Sequence, residues 1–215
     1  MNWIALKMLT GNKGKYLGII LGIAFATLLI AQQASIFCGL MLQTSGQIRD
    51  IQGADIWVMD ANVQFSDDVK PLSDSDLYRV RGVPGVSWAV RLYKGLTRSR
   101  LADGNFQQTI LLGLDDATLV GAPPNMILSN LFDLRKPEAV IMDLEGYQLL
   151  WPGEEPRIGK RFEMNDHEAE IVGICKSSRT FQTFPVVYTR YSQALSSCRR
   201  SARCCRLCWP RPRKA

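Results

Sequence analysis

One histidine, two side-by-side aspartate pairs and six cysteines are the side chains here most suited to acid–base or metal chemistry. His167 directly follows Asn165-Asp166, a dipeptide suited to a hairpin turn, so its neighbours favour an exposed turn residue over a catalytic base. Asp67-Asp68 and Asp115-Asp116 fall in expected loops, where adjacent carboxylates ordinarily face water. Cys38 sits in a long apolar run and Cys175 ends an expected strand; buried free cysteines behave as small apolar residues. No Ser/His/Asp set, His/Cys metal cluster or nucleophile elbow can be assembled. GNKGK at 11–15 is not a phosphate loop, because Tyr16 stands where Ser or Thr is needed. Catalytic, cofactor-binding and metal-binding residues are therefore none, and a non-enzymatic role without a cofactor is expected.

The other four cysteines, Cys198, Cys204, Cys205 and Cys208, crowd into residues 197–215 with seven Lys/Arg and no acid. The formal net charge of +6 comes from this tail: without it the chain holds 19 basic and 20 acidic residues. The body is near neutral, so the charge implies no nucleic-acid partner. Three readings of the tail compete. A zinc site lacks the paired CxxC or histidine spacing. A polybasic acylated tail needs the cytoplasmic side, which a single outward span denies it. Dense Arg, Cys, Pro and Trp without periodicity is also what GC-rich coding yields out of frame. The third is preferred, and 197–215 is expected to be disordered or out of frame.

The element that decides the setting is a run without a charged side chain from Tyr16 to Ile48, preceded by Lys7, Lys13 and Lys15. About 20 helical residues cross a hydrocarbon layer of ~30 Å. The run continues past the small residues Ala31 and Ala34, unlike a cleaved signal, and Phe37 before Cys38 does not fit a lipoprotein signal. A transmembrane helix over 16–42 follows, with 1–15 as a cytoplasmic or interfacial segment. The lysine flank places the N-terminus inside and the rest outside the membrane. Gly18, Gly22 and Ala26 recur at every fourth position, the spacing that lets a second helix approach closely. Gln32 and Gln33 are costly in lipid and prefer a neighbouring helix or the outer interface.

Residues 43–196 have the size of one domain. The span is expected to continue as a stalk helix to about Gly53, and DIWVMD (55–60) alternates like a strand. Ser73 with Asp76 is a capping-box pattern opening a helix through Arg81. Strands are expected over 86–96, 109–114, 139–142, 161–164, 168–175 and 185–188, with a short helix to Leu150. Short strands with a few helices make an α+β domain.

The residues carry a resemblance. ALKMLTGNKGKYLGIILGIAFATLLI resembles the opening segment and first span of ABC transporter permeases of the MacB/FtsX type. GADIWVMDANV, VRGVPGVSWAVRLYKG, TILLGLDDATLVGAP, AVIMDLEGYQLL and IGKRFEMNDHEAEIVGICKSSRTFQTFPVVYTRYSQA are similar to the periplasmic core domain of the heterocyst-exporter (DevC-like) branch. The resemblance implies an exporter permease in a bacterial inner membrane, a MacB-like periplasmic domain, and no covalent chemistry in this chain. It also implies a cytoplasmic ABC ATPase subunit, a periplasmic membrane-fusion protein, an outer-membrane channel and a homodimer as partners, with a glycolipid or lipid-like cargo. Such permeases carry further spans after this domain, and nothing after Thr189 resembles one. A truncated product is therefore expected, one that does not couple to ATP hydrolysis. The alternative is a single-pass anchored periplasmic domain acting alone as a binding or adaptor module.

Overall fold

The computed structural model describes residues 3, 4, 7, 11–51, 54, 56–64, 70, 72–101, 103–178, 184–198 and 205–212. They fall into two units, Met1–Gln43 and Thr44–Ala215.

The first unit is dominated by helix α1, Lys13–Asp50, whose last residues, 44–50, belong to the second unit. Leu, Ile, Phe and Ala fill it, and no proline or acid interrupts it before Asp50. Its hydroxyls turn back onto the helix: Thr27 donates to the Ala24 carbonyl at 2.9 Å and Ser35 to the Ala31 carbonyl at 2.8 Å. Both hydroxyls thus find an acceptor within the helix, as an apolar surround requires. Among the described residues, Lys13–Gln43 is the one helix long and apolar enough to cross a membrane.

The second unit is built on a sheet whose ladder closes on itself. Its strands are β1 (Val86–Arg100), β2 (Phe106–Leu114), β3 (Asn125–Leu128), β4 (Ala139–Asp143), β5 (Arg161–Met164), β6 (His167–Lys176), β7 (Val186–Arg190) and β8 (Cys205–Pro212). The ring runs β1-β2-β7-β4-β6-β5 and back to β1 through Ser99↔Met164 and Arg100↔Glu163. β2–β7 and β4–β6 are parallel; the other pairs are antiparallel. Helices α2 (Asp74–Arg81), α3 (Leu144–Leu150) and α4 (Tyr191–Cys198) and a 3-10 turn (Leu131–Arg135) complete it.

The apolar runs of β2, β4 and β7 do not alternate because both faces are covered. Leu111, Val140, Met142 and Val187 pack on one side with Tyr147 and Leu150 of α3 and Ala194 of α4. Their neighbours Ile110, Leu112, Ile141, Val186 and Tyr188 pack on the other side with Leu134 of the 3-10 turn. Gly113 is where α4 meets β2: a Cβ there would stand 2.7 Å from Ala194 Cβ and 2.8 Å from Tyr93 Cβ.

The α+β class is as the sequence indicates, and local signals placed many of the elements. Ser73 and Asp76 form the capping box of α2, the Ser73 amide donating to Asp76 Oδ2 at 3.1 Å. Asn165 and Asp166 take φ of 52° and 66°, the left-handed pair of a tight hairpin turn. Three features differ. DIWVMD supplies only an isolated bridge at Val58, with Ile56 and Met59 exposed, because its alternation finds no strand to pair along its length. The stalk helix stops at Asp50, and Gly53 lies outside the described residues. In the tail, expected to be disordered or out of frame, Cys205–Pro212 run as β8 against the edge of β1, from Val86↔Pro212 to Lys94↔Cys205. β1 outruns β2, so its first half offers backbone groups that β8 takes up.

Candidate functional site

The residues that could do chemistry do not converge. His167 is exposed at the start of β6. Asp115 accepts from the Thr118 amide (3.1 Å) and hydroxyl (2.8 Å), and Asp116 accepts from the Ser192 hydroxyl at 2.8 Å, bracing the first turn of α4. Both acids therefore hold turns rather than form a pair. Asp67-Asp68 lie outside the described residues. Among the described residues no three His, Cys, Asp or Glu side chains gather as a metal site. Burial pushes the Cys175 thiol far above its ordinary value, with Asp143 and Asp50 adding to the rise, so it is not poised as a thiolate nucleophile.

Gly18, Gly22 and Ala26 lie on α1 and are all exposed. A Cβ at Gly18 or Gly22 would meet nothing within 4 Å, so this strip is open for another helix. Gln32 and Gln33 are likewise exposed on α1.

The polar constellation that does form lies where α1 ends, inside the second unit. The Asp50 carboxylate takes two donors from one residue. The Ser178 amide donates to Oδ2, and the Ser178 hydroxyl donates to Oδ1 at 2.8 Å. The next residue, Ile51, is buried with Leu92, Leu114, Val172 and Tyr188. A two-point polar grip followed by an apolar plug fixes the helix end to the sheet at the finish of β6.

Behind it stand Cys175 of β6, Tyr188 of β7 and Asp143 at the end of β4, paired Asp143↔Cys175 in the ladder. Asp143 Oδ1 accepts from the Val186 amide at 2.8 Å and Oδ2 from the Gly146 amide at 3.1 Å. One carboxylate thus caps α3 and pins the start of β7. Residue 146 must be glycine: any Cβ would press on the Asp143 carboxylate and come within 2.7 Å of Pro185 Cβ. Burial lifts the Asp143 carboxyl to about 6; the two amides oppose that rise and Glu145 adds to it. Tyr188 is raised mainly by burial, then by Cys175, Asp50 and Asp143. Sequence reasoning missed this constellation. An acid just before an expected helix was a legible cap signal at Asp143, but nothing local links Asp50 to Ser178.

With this geometry in place, comparison with solved structures bears on what the domain is similar to. The periplasmic region of MacB from Actinobacillus actinomycetemcomitans superposes with a TM-score of 0.52 at 15% identity, covering 78% of this chain and 79% of that one. The domain has the MacB periplasmic fold. The extracellular domain of the noncanonic ABC-type transporter YknZ from Gram-positive bacteria matches with a TM-score of 0.48 at 14% identity, over 68% of this chain and 82% of that one. A domain of a putative permease from Porphyromonas gingivalis matches at 0.43 and 19%, over 70% and 71%. No family model and no curated protein matches the sequence.

Proposed function

We propose that this chain is a permease component of a MacB-type ABC exporter, of the DevC-like branch. On this reading α1 spans the bacterial inner membrane with its N-terminus in the cytoplasm, and the α+β domain lies in the periplasm. The observation that carries the proposal is a MacB periplasmic fold preceded by a helix of membrane-crossing length. Lys7, Lys13 and Lys15 before the span support the orientation. The open strip of Gly18, Gly22 and Ala26 supports packing against a further span, whether of a second copy or of another permease segment.

The chain carries no covalent chemistry in this role. ATP hydrolysis belongs to a separate cytoplasmic ABC ATPase. In an assembly where a permease copy supplies the further spans, movement of α1 would reach the periplasmic domain through Asp50 and Ile51, and the domain acts with a membrane-fusion protein and an outer-membrane channel. Affinity purification from membranes of cells co-expressing this chain with the ABC ATPase and membrane-fusion protein of its organism tests the proposal. Capture of both is the expected outcome. Capture of the fusion protein without the ATPase would instead favour an anchored adaptor module, and capture of neither would overturn both readings.

A further inference from the structure

The Arg/Cys-rich tail has no part in the proposed transport role, yet its backbone register is specific. In an antiparallel ladder, pairs that exchange two hydrogen bonds alternate with pairs whose backbone groups point away from each other. β8 holds Pro210 opposite Ala89 and Pro212 opposite Val86. Proline has no N–H, so Ala89↔Pro210 is a pair of the second kind. The bonded pairs are then Trp88↔Arg211, Val90↔Trp209, Leu92↔Leu207 and Lys94↔Cys205. Two contacts agree with this parity. The Ala89 carbonyl, turned away from β8, accepts from Arg81 Nε at 3.1 Å and Nη2 at 2.8 Å. Further along β1, the Arg98 carbonyl accepts from the Asn165 amide beside β5 at 2.9 Å. Even-numbered residues of β1 thus face β8 and β5. Both proline nitrogens lie on the outer edge of β8, where a strand can carry them and where they deny donors to any further strand. A one-residue slip would turn them onto β1. A two-residue slip that set Arg206 opposite Arg91 would bring like charges together, whereas the actual register sets Arg206 opposite Tyr93 and Arg211 opposite Trp88.

We propose that the first half of β1 is a strand-docking edge for a second copy of this chain, and that β8 is a strap that closes this edge within its own chain. β8 pairs with β1 alone, so it can leave while the ring of β1, β2, β7, β4, β6 and β5 stays intact. Its departure would leave Trp88, Val90, Leu92 and Lys94 with N–H and C=O groups aimed at an empty edge, the usual template for a foreign strand. The segment from Val86 to Lys94 suits its own copy. It holds no acid, and its cations are Arg91 and Lys94. Antiparallel pairing of two such edges about Val90 uses the same even-numbered backbone groups. It sets Arg91 opposite Ala89, Lys94 opposite Val86 and Trp88 opposite Leu92, so no like charges meet. Asp74 already pairs with Arg91 at 3.3 Å, which lowers the charge of the edge further. The strap is independent of the transport role.

The test is amide exchange by NMR on the full chain in nanodiscs holding one copy. It is joined to photo-crosslinking in discs holding two, with benzoylphenylalanine in place of the exposed Leu96. In the wild type Val90, Leu92 and Lys94 should exchange slowly, and copies should not cross-link at this position. Leu207→Pro removes a donor that faces β1. It should speed exchange at those three amides by about tenfold or more, leave Leu111 and Met142 protected, and bring on cross-linking between copies. Cys208→Pro, whose nitrogen faces outward, should leave both readouts as in the wild type. Equal disruption by the two prolines would overturn the register. Released amides without cross-linking would overturn the second copy as the occupant. If Leu207→Pro also loses protection at Leu111, Trp209→Pro, which removes the next donor facing β1, takes its place. Fast exchange at Val90, Leu92 and Lys94 in the wild type would overturn the strap without any variant.

Discussion

The two units of this chain use the same apolar side chains in opposite ways. In α1, Leu21, Phe25, Leu28 and Ile30 are each at least 60% exposed. In the domain, Leu111, Ile141, Met142 and Val187 are wholly buried between two covered faces of one sheet. Apolar surface of the first kind gains nothing in water and calls for lipid or another helix. Surface of the second kind is spent inside the domain, which gives that unit a fold of its own. The domain's stability should therefore be indifferent to the strip on α1, and the helix's associations indifferent to the sheet.

The sharpest break should come at the sheet. Gly113→Val drives side-chain atoms into Ala194, Tyr93 and the Tyr191 backbone, and should cost the domain about 3 kcal/mol or more in urea unfolding. Leu111→Ala should cost ~2–5 kcal/mol through the cavity it leaves. Asp50→Ala removes both acceptors of Ser178 from a half-buried site. A loss of ~1–2 kcal/mol is expected, together with faster amide exchange at Ser178. Gly22→Ile should leave the urea midpoint of the domain within ~0.5 kcal/mol while weakening cross-linking between spans in membranes. A changed midpoint with undisturbed cross-linking would reverse the assignment of the two regions.

Acid sharpens the same comparison, because two carboxyls in the domain work with opposite signs. Asp143 has a folded value of about 6 against an ordinary 3.8, so it favours the folded state when protonated. Its contribution is complete below about 4 and is lost as the pH rises through about 6. Asp133 is held down to about 2, first by the Ser129 hydroxyl and then by Lys136. Its contribution is present above 3.8 and fades as the pH falls toward 2. Urea midpoints measured across both windows should show the upper slope vanish in Asp143→Asn and the lower one in Asp133→Asn.

Where a local rule governs the backbone, the sequence was informative. The capping residues of α2, the left-handed Asn165-Asp166 turn and the apolar runs of β2, β4, β6 and β7 all announce themselves in short windows. The ring closure did not, because Ser99↔Met164 and Arg100↔Glu163 join segments far apart in the chain. α4 follows β7 with no glycine or proline between them, so no stop signal marks the change of period. DIWVMD shows the converse: alternation describes a segment fit for a sheet but does not provide the neighbouring strand. At the junction, Asp50 and Ser178 stand 128 residues apart, and each alone is an ordinary polar residue beside an apolar stretch. Asp143 was legible as a cap and illegible as a buried charge. Its burial depends on β7 and β6 covering the end of β4.

The central claim is that force from the span enters the domain at Asp50. Hydrogen-exchange mass spectrometry of the peptide containing Ser178 tests it directly, in the full chain captured with its ABC ATPase and membrane-fusion protein in nanodiscs. Exchange at Ser178 should change when ATP is turned over, and Asp50→Ala should abolish that change while the ATPase remains bound. Identical exchange with and without ATP turnover in the wild-type complex would contradict the account.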